Sequence, residues 1–139
     1  MSSALENPTL RIEPRWTDLD PVGHVNNSVF LVYAEEARAR YLRVVLPNAW
    51  GHIVVVHNSI DYHSSVEVSD FVDVTSYVES VGTSSFVTVN VISVDGRLCA
   101  TVRTVQVVLA DDRQASRPWT GDERSALTDA IGTPPRANP

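Results

Sequence analysis

The sequence predicts an α+β domain in which one long helix packs against an antiparallel sheet. Residues 28–46 carry apolar side chains at every third or fourth position, which is the spacing of one helical face. Residues 53–62, 71–81, 84–93 and 98–109 are rich in β-branched residues, and tight turns join the last three segments. Strands joined by tight turns run antiparallel, so a helix layer on an antiparallel sheet follows.

The first third of the chain predicts a strand, a loop and then the helix. Residues 10–16 begin with alternating apolar and charged side chains, which favours a first strand, and Pro14 indicates an edge position or a bulge. Pro21 and Gly23 interrupt regular structure, so the segment before the helix is a loop. Pro47 ends the helix.

Period-two alternation within residues 53–62 sorts the side chains of the next strand onto two faces. His57 and Ser59 share one face with other polar residues, whereas Val56 and Ile60 share the opposite face. The polar face either lines a pocket or a subunit interface, or it is a solvent-facing surface of the sheet.

The C-terminal region predicts a short second helix and then a tail. The spacing from Thr120 to Glu123 is that of a capping box, which predicts a helix as far as Ile131. We expect a single domain over residues 1–132. The proline-rich residues 133–139 are expected to be disordered.

The segment from residue 18 to residue 27 concentrates chemically active side chains just before the long helix. It holds two carboxylates, one histidine and two carboxamides within ten residues, namely Asp18, Asp20, His24, Asn26 and Asn27. An asparagine here can cap the helix, whose first N–H groups carry partial positive charge. A carbonyl bound at such a helix start is polarised, so the arrangement suits acyl chemistry.

Composition narrows the function classes. At 139 residues the chain is one domain, small for an enzyme that encloses a substrate, so we expect oligomerisation to supply further walls. The net charge of −6 argues against general binding of nucleic acid or anionic membranes. All eleven basic residues are arginine, which excludes a Schiff-base lysine and a phosphate-loop lysine.

Cellular location is predicted from three features. No segment is long and apolar enough to span a membrane, and the N-terminus lacks the apolar core of a signal peptide. The single cysteine, Cys99, cannot form an internal disulfide and lies in a strand-like segment, where buried packing is expected. We therefore expect a cytoplasmic protein.

The segment from Asp18 to Asn27 and the helix after it carry a family resemblance. With Phe30, Tyr33, Glu35, Ala37, Arg38 and Tyr41, the segment resembles the start of an acyl-CoA thioesterase of the hotdog superfamily, in its 4-hydroxybenzoyl-CoA thioesterase branch. The later strands, including residues 81–86, are similar too, so the likeness covers residues 10–127. The resemblance implies a hotdog fold, in which a sheet of five to six strands wraps around the helix.

The resemblance also implies an activity and an assembly. The activity is hydrolysis of an acyl-CoA or acyl-carrier-protein thioester without a metal or an organic cofactor. In the resembled family the active site lies between subunits, so a homodimer or a homotetramer is expected. Specificity for the acyl group depends on pocket shape and stays open.

Catalytic roles follow by matching positions to the resembled motif. Asp20 matches the catalytic carboxylate, which either attacks the thioester carbonyl or activates a water molecule. The backbone N–H of Asn27 matches the donor to the carbonyl oxygen. The string from His24 to Asn27 also resembles plant acyl-carrier-protein thioesterases, which gives His24 an orienting or proton-shuttling role. Asp18 is interpreted as loop structure that bonds nearby backbone N–H groups.

Substrate contacts are predicted around the helix and on a neighbouring strand. The acyl tail is expected beside the helix, with contributions from the partner subunit's copy of residues 53–63. The predicted substrate-binding residues are Asn26, Phe30, Tyr33, Glu35, His57 and Ser59. For Asn26, a helix cap is the simpler interpretation, and it does not exclude binding.

Three other functions compete with this interpretation. A hotdog hydratase also uses an Asp and a His before the helix, but the spacing of Asp20 and His24 does not match that motif. A non-catalytic acyl-CoA binding protein on the same fold is a second alternative. A metal site built from His52, His57 and His63 lacks the close ligand spacing of zinc motifs.

Overall fold

A computed structural model describes residues 7–133 and places five strands and two α-helices in that range. The strands pair only antiparallel, in the order β1-β3-β4-β5-β2. This confirms the α+β class and sets the sheet at five strands. The elements are β1 (Thr9–Ile12), α1 (Asn27–Val45), β2 (Ile53–Tyr62), β3 (Val72–Val81), β4 (Ser85–Val94), β5 (Arg97–Val108) and α2 (Gly121–Asp129). Residues 134–139 of the predicted tail lie outside the described residues.

Helix α1 packs along one face of the sheet, and its 19 residues rise by about 28 Å. Its contacts are most numerous with β3 and β4 at the centre of the sheet. The buried side chains recur at helical spacing and are Phe30, Tyr33, Ala34, Ala37, Tyr41 and Leu42. The helical spacing predicts this apolar face, except that Leu42 is buried there and Val44, which shares the spacing, is 80% exposed. Burial of the face is the main stabilising contribution of the helix.

Two apolar clusters lie between α1 and the sheet, one near each end of the helix. The first contains Val25 and Phe30, and the second contains Leu42, Phe86 and Leu127. Buried polar residues lie on the sheet face between them, namely Ser76, Thr88, Asn90, Thr104 and Gln106. The N-terminal and C-terminal halves of α1 therefore rest on separate parts of the core.

The first strand is shorter than predicted. It ends at Ile12 instead of continuing to residue 16, and a single 3-10 turn occupies Trp16–Asp18. Pro14 explains the difference, because proline has no N–H to donate to a sheet. The predicted edge position is confirmed, since β1 pairs with β3 alone.

Strand β2 forms the opposite edge of the sheet and pairs with β5 only. Its burial is low along its whole length, and only its two isoleucines are partly covered. Val56 is 58% exposed and Tyr62 is 47% exposed, which is unusual for large apolar side chains on a ten-residue strand. The outer backbone of this edge has no neighbouring strand among residues 7–133.

Helix α2 has the capping box that its sequence predicts. The Thr120 hydroxyl accepts the N–H of Glu123 at 3.2 Å, and the Glu123 carboxylate accepts the N–H of Thr120 at 2.9 Å. The helix ends at Asp129, two residues earlier than predicted, because Ile131 forms a β-bridge with Val78 instead. Across residues 7–133, none of the helices has the length and apolarity that a membrane span requires.

Candidate active site

The loop before α1 is folded as a small hairpin. Leu19 and Val25 form an antiparallel bridge, and the N–H of Asp20 donates to the carbonyl of His24 at 2.8 Å. Gly23 sits at the turn with φ +92°, a conformation that favours glycine. The sequence therefore places its polar residues on a closed, hydrogen-bonded loop and not on an open segment.

Asp20 occupies the turn of this hairpin and is half-buried. Its Oδ1 accepts the backbone N–H groups of Val22 at 2.9 Å and His24 at 3.0 Å. Its Oδ2 accepts no hydrogen bond from residues 7–133. One oxygen therefore fixes the carboxylate, and the other is available to a substrate or a water molecule.

The start of α1 presents a backbone donor beside this loop. Asn26 caps the helix, because its Oδ1 accepts the N–H of Ser28 at 3.0 Å and the hydroxyl of Ser28 at 2.9 Å. Asn27 is the first helical residue and is exposed, and its N–H donates to no group among residues 7–133. Such an N–H at a helix N-terminus attracts negative charge.

His24 points toward the neighbouring loop and not toward the Asp20 carboxylate. Its backbone bridges to Glu67, and its Nε2 lies 3.8 Å from Glu67 Oε1. The imidazole is 40% exposed. The structure joins His24 to Asp20 through backbone hydrogen bonds, and a direct side-chain role for His24 stays a prediction.

Asp18 differs sharply from Asp20, although only one residue separates them. It is 2% exposed, and its carboxylate accepts hydrogen bonds from the N–H and guanidinium of Arg15 and from the Tyr33 hydroxyl at 2.8 Å. Burial acts to raise the pKa of Asp18, but the bonds from Arg15 and Tyr33 outweigh it and hold that pKa below its usual range. Asp18 is therefore a buried, saturated anion, in agreement with its interpretation as loop structure.

The predicted acyl-pocket residues on α1 occupy different environments. Phe30 and Tyr33 are buried in the core of the single chain, whereas Glu35 is exposed. The Tyr33 hydroxyl is already bonded to Asp18. Phe30 lies near the first turn of α1, and substrate contact by Phe30 or Tyr33 stays a prediction.

His57 and Ser59 lie on the face of the sheet that points away from α1. His57 is paired with Val105 and Ser59 with Arg103, whereas the next residue along, Ile60, packs against the first core cluster under the helix. Adjacent residues of a strand point to opposite faces. Within one chain the structure therefore does not bring His57 or Ser59 to the Asp20 loop, and both are exposed.

Tyr62 reaches the helix start although it was not predicted as a site residue. Its hydroxyl donates to the carbonyl of Asn27 at 2.9 Å, and its ring meets Phe30 edge-on with centroids 5.5 Å apart. The alternation of β2 gave the available signal, because it placed Tyr62 on the same face as Ile60. Its meeting with Asn27 depends on tertiary packing that no local pattern contains.

A cavity of about 280 Å³ lies apart from this loop. It is bounded by β1, the second half of α1 and Ser76, and its lining residues are Pro8, Thr9, Leu10, Ala37, Arg40, Tyr41, Val44 and Ser76. None of the predicted substrate-binding residues is among them. The cavity therefore does not correspond to the pocket that the sequence predicts.

Comparison with known families decides the identity of the chain. The sequence profile of the Thioesterase-like superfamily matches residues 14–129, which include the loop, α1 and the whole sheet apart from β1. The chain belongs to this superfamily. Membership supports thioester hydrolysis as the general activity of this thioesterase-like protein.

Solved structures agree with the assignment to the thioesterase-like superfamily. A thioesterase from Thermus thermophilus, complexed with coenzyme A and zinc, is 33% identical with a TM-score of 0.81, covering 91% of this chain and 95% of that one. A predicted thioesterase from Bacillus stearothermophilus is 27% identical with a TM-score of 0.83, covering 91% and 98%. This thioesterase-like chain is similar to both structures over 91% of its length.

A curated relative adds sequence similarity without a function. The protein YsmA of Bacillus subtilis (strain 168), described as uncharacterized, is 26% identical over 122 residues, or 84% of this chain and 82% of YsmA.

The thioesterase-like fold brings together no cluster of metal ligands in its described part. Within residues 7–133 no three His, Cys, Asp or Glu side chains are grouped so as to hold a metal ion. The three histidines that the sequence offered as a metal site, His52, His57 and His63, are therefore not assembled there.

Proposed function

We propose that the chain hydrolyses acyl-CoA or acyl-carrier-protein thioesters, with Asp20 as the catalytic carboxylate. One observation carries this proposal: a half-buried carboxylate with one unoccupied oxygen belongs to the same hydrogen-bonded loop that leads into the free N–H of Asn27. Thioester hydrolysis needs two parts. One is a nucleophile or a general base, and the other is a donor that stabilises the oxyanion.

In the proposed reaction the thioester carbonyl oxygen accepts the Asn27 N–H. Negative charge grows on that oxygen as the carbonyl carbon becomes tetrahedral, and the positive end of α1 stabilises it. Asp20 then works in one of two ways. It attacks the carbon to form an anhydride that water hydrolyses, or it takes a proton from a water that attacks directly. In both cases the C–S bond breaks and the thiolate leaves and is protonated.

His24 is proposed as a proton carrier rather than as the principal base. Its exposed imidazole lies one hydrogen-bonded turn from Asp20 and can return a proton to the leaving thiolate. We expect His24→Ala to retain more activity than Asp20→Asn.

The acyl group is proposed to lie beside the first turns of α1, near Phe30 and Tyr62. A matched pair of variants tests this position. Phe30 and Phe86 are both buried, and each meets another aromatic ring edge-on at 5.5 Å, but Phe86 contacts Trp119 in the second core cluster. Phe30→Ala should shift acyl chain-length preference, whereas Phe86→Ala should only lower stability. An unchanged preference in Phe30→Ala would place the acyl group elsewhere.

A homodimer or a homotetramer is proposed as the working form, supported by the exposed edge strand β2. An edge strand with exposed valines favours pairing with another copy. Such pairing would also bring a second chain close to Tyr62 and the helix start. Sedimentation of the wild type against a Val55→Lys variant tests it, and a wild type that sediments as a monomer at assay concentrations would contradict it.

The experiment that tests the function is thiol release from a panel of aromatic and aliphatic acyl-CoAs. Wild type and Asp20→Asn are assayed side by side, with folding checked by circular dichroism. We expect hydrolysis of at least one member and a loss of about a hundredfold or more in Asp20→Asn. Binding of acyl-CoA without thiol release would favour the binding-protein alternative, and hydration of an enoyl-CoA would favour the hydratase.

A further inference from the structure

Asp18 is hydrogen-bonded to residues on both sides of Asn27, whose N–H is the proposed oxyanion donor. The backbone carbonyl of Asp18 accepts the N–H of Asn26, the helix cap, at 2.8 Å. Its side chain accepts the hydroxyl of Tyr33, which lies further along α1, at 2.8 Å. Asn27 stands between these two points of attachment. Asp18 therefore ties the loop that carries Asp20 to the first turns of the helix.

The chemistry of this contact makes it rigid. Burial and the adjacent Asp18 carboxylate raise the pKa of Tyr33, so its hydroxyl stays protonated and acts as the donor. The guanidinium of Arg15 neutralises the carboxylate from the solvent side, with Nη2 at 2.8 Å and Nε at 3.1 Å. Any displacement of Asp18 would leave a buried charge without partners, which is costly.

Stability alone does not account for such a group. Burial of the Asp18 carboxylate costs free energy that its hydrogen bonds must offset, so the conformation that it specifies explains the group better than net stability does. Here the conformation that it specifies is the placement of a loop with a reactive carboxylate against a helix N-terminus. Asp18 and Tyr33 are both buried, and the Tyr33 proton is already donated to Asp18, so neither is placed to act on the substrate itself.

We propose that Asp18 and Tyr33 form a positioning pair that sets the Asp20 carboxylate against the Asn27 N–H. The proposal rests on the proposed function, and it gives Tyr33 a role in place of direct substrate contact. Misplacement of a reacting group by about 1 Å can lower a rate about a hundredfold. Loss of the pair should therefore reduce turnover and leave substrate binding nearly unchanged.

The test uses Asp18→Asn and Tyr33→Phe, each with a matched control in the same chain. Asp73→Asn also removes a two-bond pair with an arginine, Arg11, but one that joins β1 to β3 and does not contact the loop or α1. Tyr41→Phe removes another buried tyrosine hydroxyl from α1, one that contacts a backbone carbonyl at 3.4 Å. We expect kcat to fall about 10- to 100-fold in the first two variants, KM to change less than about twofold, and both controls to keep wild-type kcat.

A double-mutant cycle separates positioning from structural support. If Asp18 acts through Asp20, adding Asp18→Asn to Asp20→Asn should lower kcat by less than about threefold further. A full additional loss in that background would overturn the pair, as would a kcat in Asp18→Asn and Tyr33→Phe equal to that of the controls. Should Asp18→Asn fail to fold, Tyr33→Phe decides, because it removes one hydroxyl only.

The outcomes also distinguish the pair from the function on which it rests. A wild type that hydrolyses no thioester overturns the proposed function and the positioning pair together. An active wild type with a strongly impaired Asp20→Asn and an unimpaired Tyr33→Phe upholds the function and overturns the pair. A lowered melting temperature with unchanged kcat per folded molecule means structural support, and it likewise overturns the pair.

Discussion

The two ends of α1 are built in opposite ways. At the N-terminal end the exposed Asn27 has an N–H that donates to no group among residues 7–133. The loop before it carries the half-buried Asp20 carboxylate. At the C-terminal end Leu42 and Leu46 are buried with Phe86 and with α2. Apolar packing supports both halves of α1. The comparison indicates that the ends differ in their polar groups, which stay available at the N-terminal end.

The largest effect on stability is expected at the C-terminal end. Leu42 is fully buried in the second cluster, so Leu42→Ala should lower the free energy of unfolding by about 2–5 kcal/mol. Thioesterase turnover per folded molecule should stay within about twofold of wild type. Urea denaturation and an assay below the melting temperature measure the two quantities, and an intact stability with lost turnover would break the comparison.

Removal of either helix cap is expected to have an intermediate effect on stability, and it sharpens the comparison. Asn26 caps α1 and Thr120 caps α2, and replacing either by alanine should cost about 1 kcal/mol of stability. Only Asn26→Ala should also lower kcat, because only that cap holds the proposed oxyanion donor. Equal kcat values for Asn26→Ala and Thr120→Ala would show that the two helix starts do not differ in function.

The smallest effect is expected from an ion pair near α2 and depends on pH. The hydrogen bonds from Arg117, with those of the Thr120 N–H, lower the pKa of Glu123 to about 2, despite partial burial. A lowered folded-state pKa means that Glu123 stabilises the protein above about pH 4.5 and that this contribution disappears as pH falls toward 2.

Glu123→Gln should therefore be less stable than wild type by about 0.5 kcal/mol near pH 7, and the difference should shrink toward zero as pH falls through about 2. Thermal unfolding across that pH range measures the difference. Turnover near neutral pH should not change. A stability difference that grows as pH falls would contradict the assignment of the ion pair.

Much of the fold could be predicted because its signals are local. The helical spacing of residues 28–46 and the β-branched runs gave most element boundaries within about one residue, and turn residues gave the hairpins. The first strand exists as predicted, but its C-terminal bound was wrong, because the predicted strand continued into Pro14 and a 3-10 turn. Alternation predicted a longer strand, but Pro14 has no N–H to donate to a sheet, so the strand ends before it.

The candidate site could be predicted only where its residues are neighbours in sequence. Asp20 and Asn27 lie seven positions apart, so one short segment revealed both. The bonds of Asp18 to Tyr33 and of Tyr62 to Asn27 span 15 and 35 positions, and they depend on how the loop, α1 and β2 pack. Alternation correctly put His57 and Ser59 on one face, but strand register was needed to learn that this face points away from α1.

The most direct test compares one carboxylate at each end of α1. Asp20 belongs to the loop before the helix, and Asp111 is a fully exposed carboxylate beside His52, near the other end. The measurement is kcat/KM for the best acyl-CoA with wild type, Asp20→Asn and Asp111→Asn at matched folded fractions. A loss of about a hundredfold or more confined to Asp20→Asn is predicted. Hydrolysis by Asp20→Asn at the wild-type rate would contradict the assignment of catalysis to this carboxylate.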